Sequence, residues 1–148
     1  MIVCDVNVLL YAYDPRSTLH EPCRKWLGRV LNGAEQLGLP WQSLWGFVRI
    51  ATHARAYVRP MTGAQACAVV NSWLERPQVC IPSPGERYWG ILQGQLQAAR
   101  ATGPMVSDAA LAALAIEQGA TLCTTDRDFR RFDGLKLYDP TEGQRALD

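Results

Sequence analysis

The sequence predicts one α/β domain, a three-layer α/β/α sandwich with a mostly parallel central sheet. Two observations support this fold class: short apolar segments alternate with longer amphipathic segments, and no linker, repeat or low-complexity tract interrupts residues 1–148. Helices that connect parallel strands cover both faces of a sheet, which gives three layers. Because ligands in such folds bind beyond the carboxyl ends of the strands, residues that follow strands are the first site candidates.

The first half of the chain contains two predicted strands, each followed by helical segments. Apolar residues recur at helical spacing after residue 20, and Asn32-Gly33 is typical of a helix end. The predicted elements are a strand at residues 2–6, helices at 7–13 and 20–31, a strand at 37–39 and a helix at 41–54. Asp5 therefore falls at the carboxyl end of the first strand.

The second half continues the alternation. Thr62 is a predicted N-cap because Gln65 occupies the capping-box position, and the Gly103-Pro104 pair separates two later helices. The predicted elements are a helix at residues 62–74, a strand at 79–81, helices at 84–101 and 107–118, a strand at 120–124, a helical turn at 128–132 and a strand at 136–138. Asp126 thus follows a buried strand, as Asp5 does.

The composition is that of a folded globular domain. Hydrophobic residues make up 48% and charged residues 20% of the chain, which excludes intrinsic disorder. Apolar runs stay well below the roughly 18 residues of a membrane span, so we expect neither a span nor a signal peptide, and a cytoplasmic protein. The five cysteines lack metal-ligand spacing, and we expect them to be reduced thiols.

The charge composition gives weak support for a nucleic-acid ligand. A net charge of +1 provides no long-range attraction to a polyanion. Lys25 and Lys136 are the only lysines, so thirteen of the fifteen cationic residues are arginines. The guanidinium group binds phosphate with two hydrogen bonds, although a GC-rich genome enriches arginine equally.

Three aspartates are the candidate chemical groups. Asp5 and Asp126 both follow apolar strands, so a parallel sheet places them at one edge, and Asp108 lies at the start of a helix, where the helix dipole favours its anion. Clustered carboxylates repel one another, and hard oxygen ligands with water are what Mg²⁺ or Mn²⁺ prefer. Such an ion activates water for phosphodiester hydrolysis.

Each of these residues also has a purely structural interpretation. Asp108 taken alone fits a helix-start residue, and Asp126 alone fits a turn. Asp5 is the strongest candidate, because a carboxylate within an apolar strand is costly to bury without a partner or a metal. Asn7 either hydrogen-bonds the carboxylates from outside the metal shell or caps the first helix. Asp128 is either a fourth acid or the N-cap of the helical turn.

Several segments resemble the PIN-domain family over nearly the whole chain. They are Met-Ile-Val-Cys-Asp-Val-Asn-Val-Leu-Leu-Tyr-Ala at residues 1–12, Ser107-Asp108, and Thr124-Thr125-Asp126. Within that family, residues 39–52 with residues 59–62 are similar to the VapC toxins of bacterial toxin–antitoxin pairs. The resemblance implies a Mg²⁺-dependent endoribonuclease that is inhibited by a cognate VapB-type antitoxin and forms a homodimer.

The resemblance also assigns site residues. Asp5, Asp108 and Asp126 match the acidic, metal-binding and catalytic positions of the family, and Asn7 matches a small polar residue that follows the first acid by two places. Mg²⁺ is the expected cofactor, with Mn²⁺ as the alternative.

One feature departs from the family pattern. The family has a Glu on the helix after its second strand, whereas residues 41–54 contain no carboxylate. Glu35 precedes the second strand and is expected at the opposite end of the sheet. Gln42 and Ser43 remain as candidates to hold a water in its place, and we expect one Mg²⁺ ion rather than two.

Four arginines are candidate RNA contacts: Arg16, Arg49, Arg127 and Arg130. Each also fits a solvated surface position. Phosphate pairing gives salt-sensitive affinity without sequence choice, so the identity of the RNA cannot be read from these residues.

Two other functions compete with the nuclease. A phosphohydrolase with Asp5 as a phosphorylated nucleophile needs a well-placed lysine, and only Lys25 and Lys136 are available. A binding module for RNA or for a partner protein, with impaired catalysis, is the other alternative, because the acid expected at residues 41–54 is missing.

Overall fold

The computed structural model describes residues 1–142 and contains one parallel sheet of five strands. The strands are β1 (Ile2–Cys4), β2 (Leu37–Gly38), β3 (Val79–Cys80), β4 (Thr121–Cys123) and β5 (Lys136–Tyr138). Their order in the sheet is β3-β2-β1-β4-β5, and every neighbouring pair is parallel. This confirms the predicted fold class. The central position of β1 gives the residue that follows it neighbours on both sides.

Six α-helices connect strands β1 to β4, and a 3₁₀ helix lies between β4 and β5. They are α1 (Val6–Ala12), α2 (His20–Leu31), α3 (Trp41–Ala51), α4 (Gly63–Leu74), α5 (Tyr88–Ala99) and α6 (Met105–Glu117), with the 3₁₀ helix at Arg127–Arg131. The capping box predicted at Thr62 and Gln65 is present at the start of α4. Gly119 ends α6 with a φ of +63°, a conformation that glycine adopts without strain.

Two predicted helix starts were wrong. α5 begins at Tyr88 rather than at residue 84, because the backbone N–H of Gly85 donates to Glu117 Oε1 at 2.6 Å and holds that segment in a turn. α6 begins at Met105, two residues earlier than predicted, because Pro104 is its N-cap. A proline at a helix start loses nothing, since its missing N–H has no partner within the helix there.

The two faces of the sheet are covered by different helices. Helices α1 to α4 pack on one face, and α5 and α6 pack on the other. Successive strand residues point to opposite faces, so Val3 and Leu122 contact the α5–α6 layer while Cys4 and Cys123 contact the α1–α4 layer. Residues 1–142 include no helix with the length and apolar composition to cross a bilayer.

Aromatic packing fixes α3 in the first layer. Phe47 of α3 and Trp73 of α4 are buried, and their rings meet edge to face with centroids 4.8 Å apart. Tyr13, at the end of α1, contacts both rings at 5.8 Å. Three helices therefore share one cluster, and the opposite face of α3 is left toward solvent.

We expect Thr62→Ala to lower the free energy of unfolding by about 1 kcal/mol. In the capping box the Thr62 hydroxyl accepts from the Gln65 N–H and the Gln65 side chain accepts from the Thr62 N–H, and the substitution removes the first of these bonds. Urea unfolding followed by circular dichroism measures this change. Ser72→Ala is the control, since Ser72 is exposed on the same helix and only bonds the Val69 carbonyl. Equal stability of the two variants would contradict the prediction.

Candidate functional site

Asp5 stands at the centre of the carboxyl edge of the sheet. It follows β1 and is the N-cap of α1, where its Oδ1 accepts a hydrogen bond of 2.7 Å from the Val6 N–H. Its Oδ2 accepts a second hydrogen bond of 2.8 Å from the Thr124 hydroxyl. Only 9% of the residue is exposed. The buried carboxylate predicted from the sequence is therefore present, and both of its oxygens have partners.

Thr124 connects three polar residues of the site. Cys4 and Cys123 are paired in register, so the residues after them, Asp5 and Thr124, lie side by side. Besides donating to Asp5, the Thr124 hydroxyl accepts from the Asp126 N–H at 3.1 Å and from Asn7 Nδ2 at 3.4 Å. Sequence analysis missed Thr124. The sequence signal for it was a Thr that directly follows an apolar strand, because a Thr hydroxyl there can accept from the N–H two residues later, as it does from Asp126.

Asn7 lies in the first turn of α1 and does not cap it, because Asp5 has that role. The Asn7 side chain instead faces the end of β4, where its Oδ1 accepts from the Thr125 N–H at 3.5 Å. Of the two interpretations of Asn7, the structure favours the one that places it beside the carboxylates.

Asp126 is the N-cap of the 3₁₀ helix, and its Oδ1 accepts from the Asp128 N–H at 2.9 Å. The predicted cap role of Asp128 was wrong, because Asp126, two residues closer to β4, is the N-cap. Asp128 is exposed and pairs with Arg131, at 3.5 Å between Oδ1 and Nη2. Asp108 is half-buried in the first turn of α6.

Burial and neighbouring carboxylates raise the pKa values of Asp5 and Asp108. Burial raises the pKa of Asp5 from 3.8 to about 6, and the negative charges of Asp108 and Asp126 add to this, while the bonds from Thr124 and Val6 oppose it. Burial also raises the pKa of Asp108, with Asp126 and Asp128 contributing and Arg131 opposing. The structure thus brings Asp5, Asp108 and Asp126 into one electrostatically coupled region.

The donor set of this region fits a hard divalent cation. In the described part of the chain, no three Asp, Glu, His or Cys side chains are close enough to enclose a metal ion by themselves. Mg²⁺ does not require such a cage, because it keeps several waters and binds through one or two carboxylates. An ionised carboxylate has about four acceptor sites, and the two hydrogen bonds on Asp5 leave room for a cation.

Helix α3 contributes no acid to the site. The Ser43 hydroxyl, 1% exposed, donates to the Cys4 carbonyl at 2.8 Å and ties α3 to the end of β1. Because Ser43 is engaged in this way, Gln42, which is half-buried in the first turn of α3, is the remaining candidate to hold a water there.

The arginines predicted to contact RNA lie in three different places. Arg127 and Arg130 line a small cleft of about 40 Å³ together with Asp126, and Arg130 also pairs with Glu142 at 3.6 Å. Arg49 is exposed on α3, away from that cleft. Arg131, which was not among the predicted arginines, is the cation whose charge lowers the pKa of Asp108.

The largest cavity described is separate from the carboxylates. It has a volume of about 300 Å³ and is lined by the end of α1, by α3 and by the loop after it, with Arg16, Phe47, Tyr57 and Val58 among its walls. None of the three candidate aspartates lines it. The candidate aspartates therefore lie outside this cavity, and Asp126 lines the smaller cleft instead.

Comparisons with known proteins agree on one family. The family model described as PIN domain matches residues 2–135. The chain is 38% identical to Ribonuclease VapC37 of Mycobacterium tuberculosis over 140 residues, 95% of this chain and 97% of that protein. It is 37% identical to Ribonuclease VapC43 of the same species, over 99% of this chain and 100% of that protein.

Solved structures have the same fold. VapBC2 from Rickettsia felis bound to a promoter DNA fragment is 19% identical, with a TM-score of 0.66, over 94% of this chain and 98% of that one. VapBC-1 from nontypeable Haemophilus influenzae is 18% identical, with the same TM-score of 0.66, over 96% and 100%. At this level of identity, the likeness establishes the fold alone.

We expect the metal-free protein to lose stability as the pH rises from about 4 to about 6. In this interval folded Asp5 keeps a proton that the unfolded chain has released, so ionisation favours unfolding, by roughly 3 kcal/mol over the full interval. Asp108 contributes with the same sign. Urea unfolding in EDTA across this pH range measures the slope.

Asp5→Asn removes the titrating group and is expected to flatten that slope. Asp133→Asn, which changes an exposed carboxylate, is the matched control and is expected to keep it. If the free energy of unfolding of the unmodified protein rose between about pH 4 and pH 6, the raised pKa of Asp5 would be contradicted.

We expect Thr124→Val to raise the pKa of Asp5 further, by roughly one to two pH units, because the hydroxyl that stabilises the anion is lost. A titration of the Asp5 carboxyl carbon by NMR measures this. Thr124→Ser keeps the hydroxyl and serves as the control. If valine and serine variants titrate alike, the bond has no electrostatic role.

Proposed function

The chain belongs to the PIN-domain family, and on that premise we propose that it is a Mg²⁺-dependent endoribonuclease of the VapC type, the toxin of a toxin–antitoxin pair. One observation carries the proposal: Asp5, Asp108 and Asp126 come from three separate segments, and the charges of Asp108 and Asp126 both act on the buried Asp5 carboxylate and raise its pKa. Relatives named as VapC ribonucleases, 37–38% identical over nearly the whole chain, support it.

Asp5, Asp108 and Asp126 are the residues that would hold Mg²⁺ or Mn²⁺. When bound, the cation supplies an activated water and neutralises charge on the phosphodiester during hydrolysis. The chain's own contribution is to keep Asp5 ionised and fixed in place, through the hydrogen bonds from Val6 and Thr124. Arg127 and Arg130, beside Asp126, are placed to bind the phosphates that flank the cleaved bond.

We assign one cation to the site. Helix α3 has no carboxylate. Its Ser43 hydroxyl occupies the position next to the Cys4 carbonyl. A second ion would have only neutral ligands on α3, and these bind Mg²⁺ less well than carboxylates do.

The proposal includes the partners of a VapC toxin. Solved structures with this fold are VapBC assemblies, and a VapB-type antitoxin is the inhibitor we propose for this chain. We also propose a homodimer and a cytoplasmic location, where the RNA substrate is found.

The charges around Asp5 argue against the phosphohydrolase alternative. The groups that shift the pKa of Asp5 through their charge are the two carboxylates Asp108 and Asp126, and no lysine is among them. Lys25 and Lys136 lie on α2 and β5 and are exposed. An aspartyl-phosphate enzyme needs a cation at this point, so the nuclease is favoured.

We expect the protein to cleave RNA in Mg²⁺ and to lose this activity in EDTA. Asp108→Asn is expected to reduce the rate at least about a hundredfold, because it removes a ligand charge while nearly preserving shape. It is also expected to keep or slightly raise stability, since the Asp108 anion is disfavoured where it lies. Gel analysis of a structured RNA after incubation, with circular dichroism of the variant, measures both.

Asp133→Asn is the control for a non-specific effect of charge removal. RNA binding without any Mg²⁺-dependent cleavage would favour the binding module instead. Full activity of Asp108→Asn would remove Asp108 from the site.

A further inference from the structure

We propose that Arg131 is a positioning residue for the metal site: its guanidinium joins the 3₁₀ helix to the first turn of α6 and so sets the place of Asp108 relative to Asp126. The inference rests on the proposed Mg²⁺-dependent function and adds a residue outside the set of aspartates that would hold the cation. Two carboxylates from different segments bind one cation well only when those segments are held at a fixed distance.

The Arg131 side chain is held by contacts to two segments. Its Nε donates to the Asp128 carbonyl at 2.9 Å, and its Nη2 lies 3.5 Å from Asp128 Oδ1. Its Nη1 donates to Met105 Sδ at 2.7 Å, in the first turn of α6. The guanidinium is planar and carries its donors in a rigid fork, so contacts on both sides fix its orientation. Arg131 therefore bridges the 3₁₀ helix and α6.

This bridge connects the segments that carry two of the candidate metal ligands. Asp126 is the N-cap of the 3₁₀ helix, and Asp108 lies one turn after Met105 on α6. The positive charge of Arg131 lowers the pKa of Asp108, so the guanidinium lies within electrostatic range of that carboxylate. Asp126 and Asp128 raise the same pKa. Arg131 is thus the cation at the junction of the two segments.

The position of Asp108 depends on its helix more than the positions of the other two acids do. Both carboxylate oxygens of Asp5 accept hydrogen bonds, and so does one oxygen of Asp126. Burial and charge act on the Asp108 carboxylate, and in the described part of the chain no hydrogen bond holds it. The N-cap of α6 is a proline without a side-chain hydrogen bond. The first turn of α6 therefore takes its alignment from packing and from the Arg131 contact.

Apolar packing keeps the 3₁₀ helix on α6 without the help of Arg131. Phe129 and Phe132 are buried in the core cluster that includes Ala112 of α6. Loss of the Arg131 contacts is therefore expected to leave the fold intact and to change only the alignment of the first turn of α6. Metal binding and folding can be measured separately for this reason.

Arg131 differs from the arginines that we propose as phosphate ligands. Its side chain is 33% exposed, against 62% for that of Arg130. Arg127 and Arg130 line the small cleft beside Asp126, and Arg131 does not. Three of its nitrogens contact protein acceptors, so it acts on the metal ligands through these contacts rather than by binding RNA.

Charge and positioning predict opposite effects on metal binding. The positive charge of Arg131 repels a cation at the aspartates, so by charge alone its removal would strengthen binding. As a positioning residue, Arg131 strengthens binding because it holds Asp108 in place. Lysine separates the two roles, since it keeps the charge but is a compact point donor that cannot bridge Asp128 and Met105 together.

The test measures the Mn²⁺ affinity of the full chain by isothermal titration calorimetry near neutral pH. Arg131→Lys is expected to weaken Mn²⁺ binding by about 10- to 100-fold, the loss typical when a residue that orients metal ligands is changed. Because the charge is kept, a role of charge alone predicts no change. Wild-type affinity in Arg131→Lys would overturn the proposal.

Met105→Leu tests the other end of the bridge, because leucine keeps an apolar side chain of similar size and removes the sulfur acceptor. It is expected to weaken Mn²⁺ binding by less than Arg131→Lys does, since a thioether is a weak acceptor. The fold-loss in the double variant is expected to be smaller than the product of the two single losses, because both changes break the same bridge. Losses that multiply would show independent effects and overturn the bridge.

Arg24→Lys is the matched control. Arg24 pairs with Glu21 at 3.1 Å, three residues earlier in the chain, as Arg131 pairs with Asp128, but it lies exposed on α2. It is expected to leave the Mn²⁺ affinity unchanged. Circular dichroism in EDTA is expected to show both lysine variants folded under the conditions of the binding assay. If Arg131→Lys is unfolded there, the residue has a general structural role and the proposal is overturned.

Failure of the proposed function has a different signature. A wild-type chain that binds no Mn²⁺, or binds it no better than Asp5→Asn does, would remove the metal site and with it the positioning role. Binding that depends on Asp5 but is equally tight in Arg131→Lys would remove the positioning role alone.

Discussion

The burial of the Asp5 carboxylate beside two other carboxylates is the constraint on which the rest of the site depends. Two good hydrogen bonds, from Val6 and Thr124, stabilise the anion, yet its pKa remains raised to about 6. The free-energy cost of burying the charged carboxylate therefore exceeds the stabilisation that these two hydrogen bonds provide. The Asp5 anion is therefore disfavoured where it lies, and the divalent cation that we propose would offset this cost.

The sheet makes this arrangement rigid. Cys4 and Cys123 are fully buried and paired in register, one residue before Asp5 and Thr124, so the backbone ladder of β1 and β4 sets the distance between those two residues. Burial, together with the neighbouring Cys123 and Asp5, holds the pKa of Cys4 well above its usual value, so its thiol stays neutral. Cys4, Cys23 and Cys123 are buried and act as packing groups, and all five cysteines are free thiols, as their spacing predicted.

The sequence was most informative where local chemistry decides the structure. α2, β5 and the capping box of α4 match their predicted positions, because periodicity and cap residues act within a few positions. The starts of α5 and α6 were missed because Glu117 and Pro104 decide them, through a tertiary bond and a tolerated proline. Asp5 and Asp126 were accessible from the strand pattern, and Asp108 from its position at a helix start.

Thr124 was not accessible in that way. Its partner Asp5 is 119 residues distant in the chain, and only the register of β1 against β4 reveals the contact. The same holds for the cap of the 3₁₀ helix, where two aspartates compete for one role and the geometry of the strand end favours Asp126.

The absence of an acid on α3 has two effects that act together. It leaves the carboxylates of the site on α6 and on the ends of β1 and β4, which limits the positive charge that the site can bind. It also leaves the whole segment between Glu35 and Glu75 without an acidic residue, and this segment includes the exposed Trp41 and Trp45. A net charge of +1 conceals this separation, because the charges of the three aspartates and of Arg49, Arg55 and Arg59 cancel in the total.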